Sequence, residues 1–240
     1  LRELAKPTAL ERMSKHMQEL IENKLDQAID LNASIQEITS RSLIPVVIDG
    51  MPAADLEKVH ADQDYKLGRL LQTEPLPSSF RKELSSIIIQ MRSGFAVRRE
   101  IKRRVRDPKR RFGDMTDPIL ERFNELGMDR AADAVTTVLT AIAGPPGASA
   151  IGLIYEYIRH PHFAEQVNSE LKQLSIAEII ESPKQHASFA LQFIKETLRL
   201  WSPPLFMTRP VRVDMEVAGH HVQSGQRYIL SPYLLHHDPE

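Results

Sequence analysis

Twenty-two consecutive residues, Ala134–Tyr155, carry no charged side chain, in a chain of which 26% is Asp, Glu, Lys or Arg. Such a run is long enough to cross a bilayer as a helix. It suits lipid poorly, because Thr136, Thr137, Thr140 and Ser149 are polar and Pro145-Pro146 fall mid-span. In a globular protein a helix that is apolar on every side is the one that others surround. The expectation is a helical body packed around a central helix at about 129–159, with Ala134–Tyr155 at low exposure on all sides. A soluble, cytoplasmic setting is favoured over a membrane-spanning one for this segment.

The rest of the chain supplies the surrounding helices. In residues 10–39, Met13, Met17, Leu20, Ile21 and Leu25 recur at helical spacing. Pro45 and Gly50-Met51-Pro52 punctuate, Ala53–Tyr65 reads as a short polar helix, and Leu76 to Ser79 as a loop. A long helix is expected over 80–106, broken by Asp107-Pro108, then another over Asp114–Leu126. Gly127-Met128-Asp129 is a turn and cap signal. Pro161 ends the central helix, further helices cover about 161–174 and 184–201, and Pro203-Pro204 stops the last. The period then changes. Val211, Val213, Met215 and Val217 alternate with Arg212, Asp214 and Glu216, the pattern of a half-buried strand. Ala218–Gln223 makes the turn and Arg227–Leu230 the return strand. The fold class is mainly α with a small β-sheet near the C-terminal end. The chain opens at Leu1 without an initiator Met and closes at Asp238-Pro239-Glu240, so it is read as a segment cut at both ends.

Charge and composition exclude several functions. Thirty-one basic against 32 acidic side chains leave a net charge of −1, so no global field draws the chain to nucleic acid. The basic run from Arg98 to Arg111 lacks the interleaved aromatics of a nucleic-acid groove. It reads as a solvated helix face and flexible loop, with a docking patch for an acidic partner as the remainder. The chain has no cysteine, which rules out disulfides, zinc–thiolate sites, iron–sulfur clusters and a thiolate-held haem iron within these residues. His160-Pro161-His162, His220-His221 and His236-His237 lack the spacing of a metal site, so no metal ligand is assigned.

One helical segment carries a sharper signal. Glu196 and Arg199 lie three apart, on one helix face, among Phe189, Phe193, Leu198, Leu200 and Trp201. A pair among such bulky apolar groups is expected to be substantially buried and to act as a structural clamp.

From Glu196 onward the chain resembles the cytochrome P-450 superfamily. Glu196 and Arg199 match its K-helix Glu-x-x-Arg, followed by the family's Pro-Pro pair at Pro203-Pro204 and an Arg ten residues on, Arg209. Asp214, Gly219 and Gly225 stand at the family's fixed steps, and His236-His237-Asp238-Pro239 matches its His/Asn-Arg-Asp-Pro signature with His in place of Arg. Upstream, Leu1-Arg2-Glu3-Leu4 is similar to the end of the C-helix motif. Ala143-Gly144 with Tyr155-x-x-x-Arg159-His160-Pro161 is similar to the central I helix and the start of the next. The resemblance implies one incomplete domain over residues 1–240, from the C helix to just beyond the K helix and its sheet. It also implies a b-type haem with an axial Cys, propionates held by Arg2 and Arg209, and a hydrophobic small-molecule substrate over Ala143 and Gly144. A redox partner is implied too.

The departures bear on function. Where the family carries an acid and a Thr that relay protons to iron-bound oxygen, this chain has Pro146 and Gly147, neither able to donate a proton. Ser149 lies about 200° round the helix. No catalytic residue is therefore intact, and peroxide-driven or rearrangement chemistry is expected over ordinary hydroxylation. The axial Cys is absent as well. The first reading is a segment of a haem-thiolate monooxygenase. The second is a haem-free auxiliary or binding protein, such as a glycosyltransferase partner. The third is a helical module with no active site.

Overall fold

The computed structural model describes residues 7–24, 30–70 and 79–238. The chain divides into two compact units, Leu1–Ala150 with Ser175–Ser182, and Ile151–Leu174 with Pro183–Glu240.

The first unit is helical. It contains α1 (Pro7–Glu22), α2 (Leu31–Val47), α3 (Ala53–Leu70), α4 (Phe80–Arg106), a 3-10 turn (Pro108–Arg110), α5 (Thr116–Glu121), α6 (Phe123–Ala141), the first turns of α7 (Pro145–Arg159) and α9 (Ile176–Glu181). Local chemistry sets several boundaries. The Asp30 carboxylate accepts from the Ala33 amide to start α2, and the Ser79 hydroxyl accepts from Lys82 to start α4. Ser175 and Glu178 form a reciprocal capping box on α9. The core joins five of these elements or their edges: Ile44, Val47 and Ile48, Val59, Val97 and Ile101, Leu120, and Ala131, Val135 and Leu139. Each is at most 4% exposed.

The expected turn at Gly127 is present: its φ of +70° breaks the helical path inside α6, and glycine tolerates that conformation without strain. The single central helix is not present. Helix α6 ends at Ala141, and α7 restarts at Pro145. Proline in the first turn of a helix loses no hydrogen bond, so Pro145-Pro146 found a new helix rather than kinking an old one. Nor is the run enclosed: Thr137, Thr140, Ala141, Pro145, Ala148 and Tyr155 are exposed. By length and apolarity 123–159 could cross a membrane; only 28% of its most apolar window is buried, and the break between α6 and α7 falls within this stretch.

The second unit holds the rest of α7, α8 (Pro161–Leu171), α10 (Pro183–His186), α11 (Ser188–Leu200), four short strands and α12 (Pro232–His237). The Glu170 carboxylate of α8 accepts from the Phe189 and Ala190 amides, at 3.1 and 2.8 Å, capping α11 from a neighbouring helix. Strands β1 (Met207–Pro210) and β4 (Arg227–Leu230) pair antiparallel, and β2 (Met215–Val217) pairs with β3 (His220–Val222). The return strand is where the alternation predicts, but its partner is β1. The half-buried strand over 211–217 shrinks to β2, whose Met215 and Val217 are exposed. Ala218 (φ +50°) and Gly219 (φ +78°) form the two-residue turn whose twist matches a hairpin.

Candidate functional site

Ala143 and Gly144 lie buried in the break between α6 and α7. One helical turn on, Gly147 is pressed against α2. A Cβ built there would stand 2.9 Å from Gln36 Cα and 3.1 Å from its Cγ. The position therefore has no room for a hydroxyl-bearing side chain unless α2 moves. Pro146, beside it, is half-buried and has neither a titratable group nor an amide proton. Ser149 bonds locally, donating to the Pro145 carbonyl at 2.9 Å.

Glu196 and Arg199 do pair. Arg199 donates from Nε and Nη2 to the two carboxylate oxygens at 2.9 and 2.6 Å, and from Nη1 to the His236 carbonyl at 2.6 Å. The fork holds the Glu196 carboxyl below its usual range. Its burial does not match expectation: the side chains are 57% and 43% exposed. Phe189, Phe193 and Leu200 share the Glu196 face of α11 and line a cavity together with it, but nothing closes over the pair, which stays in solvent. The pair tethers α12 to α11.

Arg209 is exposed on β1, opposite Tyr228, and donates to the Thr208 carbonyl at 3.2 Å. Arg2 and Pro239 lie outside the described residues. His237 Nδ1 lies 2.8 Å from the Tyr233 carbonyl within α12. Among the described residues no group of three or more His, Cys, Asp or Glu is placed to hold a metal.

The sequence reading missed two constellations. The basic run is a solvated face with a buried ionic centre: Arg99, Lys102, Arg106, Lys109 and Arg111 are exposed, whereas Arg104 is not. Arg104 is fully buried and donates to Glu100, Asp114, Asp117 and the Asp49 carbonyl. Burial pulls its pKa down, but Asp114 and Glu100 outweigh that and hold it above the ordinary guanidinium value. Arg99 and Arg103 both reach Asp55, while Arg110 reaches Glu100. The acids come from α3, α4 itself and the approach to α5, so local charge counting could not pair them.

The second constellation surrounds a cavity of about 310 Å³ in the second unit. It is lined by Phe163, Phe189, Phe193 and Leu200, with Glu156 and His160 on one side and Glu196 on the other. Glu156 is buried at the end of the uncharged run. Its Oε1 accepts from the Trp201 indole at 2.7 Å, and its Oε2 lies 3.1 Å from His160 Nε2. The signal available in the sequence was the i, i+4 spacing of this acid and His160.

Comparison with known proteins completes the description. The family model for cytochrome P-450 matches residues 9–240. A germacrene A hydroxylase of Saussurea costus is 29% identical over 133 residues, covering 52% of this chain and 27% of the relative. A cytochrome P-450-like protein of Acanthamoeba polyphaga mimivirus is 21% identical over 139 residues, covering 57% and 29%. Among solved structures, the retinoic-acid-bound cyanobacterial CYP120A1 superposes with a TM-score of 0.76 at 18% identity, covering 99% of this chain and 54% of that one. The haem domain of cytochrome P-450DA gives 0.75 at 17%, covering 96% and 53%. The chain thus spans about half the length of these structures, and the matched stretch spans under a third of the curated relatives.

Proposed function

The chain belongs to the cytochrome P-450 family, and we propose that the whole protein is a haem-thiolate oxidoreductase of the monooxygenase type, of which these 240 residues are one incomplete domain. The observation that carries the reading is the family match across residues 9–240, joined to the retained Glu196–Arg199 fork. Relatives named as a germacrene A hydroxylase and a protopine 6-monooxygenase support oxidation of a small molecule.

The donor set fits part of what a haem needs. Arg209 offers an exposed guanidinium for a propionate, a charge-assisted contact that orients a ligand, and Arg2 has the right chemistry for a second. When bound, haem supplies the redox chemistry and the oxygen activation. These residues contain no cysteine, so an axial thiolate has to come from sequence outside them, and no step through the iron is assigned to them.

The chain's own contribution at the central break is steric and aprotic. Pro146 cannot hold or pass a proton, and Gly147 has no space for a hydroxyl. That favours peroxide-driven oxidation, or rearrangement of an already oxygenated substrate, over reduction of dioxygen through a proton relay. The test has two parts. The coding sequence beyond Glu240 should carry a Cys-bearing Phe-x-x-Gly…Cys-x-Gly segment. The full-length protein should then turn over an apolar substrate with hydrogen peroxide faster than with reductant and dioxygen. A faster dioxygen-driven reaction refutes the peroxide reading and leaves the family standing.

A further inference from the structure

We propose that the cavity between α8, α11 and the last turn of α7 is a binding site for a small organic cation, an ammonium group carrying an aryl or short alkyl body. Three phenyl rings, Phe163, Phe189 and Phe193, form an apolar lining on a volume of about 310 Å³, enough for a ligand of modest size. The Phe163 ring lies 6.3 Å from Phe189 and 5.9 Å from the His160 ring, and such faces attract cations through their quadrupoles.

Charge decides the class of ligand. The two carboxylates in the lining are not equivalent. Glu196 is neutralised by the two-point fork from Arg199. Glu156 is buried, with its side chain 11% exposed, and it is held by an indole N–H and an imidazole. Among the described residues no Lys or Arg comes within 4.0 Å of it; Arg159 donates instead to the Tyr155 hydroxyl at 2.5 Å. Arg159 acts on Glu156 only from longer range; a buried carboxylate with no permanent cation in direct contact is costly to maintain, and a cation placed beside it offsets that cost. An anion is repelled. A divalent metal lacks a third ligand among the described residues. The inference does not depend on haem, so it stands or falls separately from the function proposed above.

Isothermal titration calorimetry on the full chain tests it, at a pH of about 8. The probes are 2-phenylethylammonium, the uncharged isostere 2-phenylethanol, and a short Lys-containing peptide. The cation should bind roughly tenfold tighter than the alcohol, and the peptide more weakly than the cation. Glu156→Gln keeps an acceptor for Trp201 and should abolish the preference for charge. Phe193→Leu should weaken both small probes, which keeps the proposal testable if the Gln variant does not fold. Equal binding of cation and alcohol, a preference that survives in Glu156→Gln, or no heat with any probe at millimolar concentration overturns the site. Tighter binding of the peptide overturns the small-molecule assignment in favour of a protein side chain.

Discussion

Replacing Arg104 by Met removes the centre of the ionic cluster while conserving much of its volume, and the cost can be worked from its contacts. The guanidinium is 0% exposed and makes five hydrogen bonds, to Glu100 (3.3 Å), both oxygens of Asp114 (2.8 and 2.7 Å), Asp117 (3.2 Å) and the Asp49 carbonyl (2.5 Å). Breaking a buried ion pair by deleting one member costs about 3–5 kcal/mol, because the partner is left charged and unpaired. The upper end is not reached. Glu100 keeps Arg103 and Arg110, and Asp114 keeps the Asp49 and Thr116 amides at 2.7 and 3.0 Å. Asp114 nonetheless loses its cation inside a region that excludes water. The expected loss is about 3 kcal/mol, a large fraction of a stability of about 5–15 kcal/mol. Urea unfolding followed by far-ultraviolet circular dichroism measures it, with Arg122→Met as the control. Arg122 pairs with Glu125 at 2.6 Å, but both side chains are about two-thirds exposed (69% and 65%). If Arg104→Met shifts the midpoint no more than Arg122→Met does, the cluster is not what joins α4 to the α2–α3 turn and α5.

Three further outcomes follow from the same geometry. Gly147→Thr should lower thermal stability by about 1–3 kcal/mol, the usual cost of overpacking, since the new Cβ meets Gln36 backbone; an unchanged melting temperature shows that α2 yields freely. Asp55, whose carboxyl Arg99 holds well below its ordinary value of 3.8, contributes stability that is present above that value and lost as pH falls below it. Asp55→Asn should therefore be less stable at neutral pH and lose less between about pH 4 and 2, and parallel acid titrations of the two proteins would disprove this. Arg199→Ala should shift the melting temperature no more than an Arg122→Ala control, because its pair lies in solvent; a much larger drop restores the buried clamp.

The sequence made the helical order legible because proline and glycine act locally: Gly127, Pro161 and Pro203-Pro204 each mark a break near the observed one, whereas the short α9 capped by Ser175 was not read. Burial was less legible. Ala134–Tyr155 is uncharged, but lack of charge does not specify which neighbours cover it, and the proline pair that falls mid-span begins a separate helix. The same limit applies to Glu196 and Arg199: Phe189 and Phe193 share the Glu196 face of the helix, but a shared apolar face buries a pair only when another element covers it, and here that face opens on a cavity. Ion pairs such as Asp55–Arg99 and Arg104–Asp114 link positions 44 and 10 residues apart, and nothing in the local pattern selects those partners. The site motifs were readable as a family pattern, whereas the Glu156–Trp201 contact spans 45 residues and was not.

The central claim is that these residues are cytochrome P-450 scaffold whose iron ligand lies outside them. The reduced, carbon-monoxide-treated absorption spectrum tests it most directly, recorded with added haem on the 240-residue chain and on the natural full-length product. The full-length product should show the red-shifted Soret band of thiolate ligation, and the short chain should retain little haem and lack that band. A tight haem complex of the short chain held through His236 or His237, or a full-length product without the thiolate band, would contradict the account.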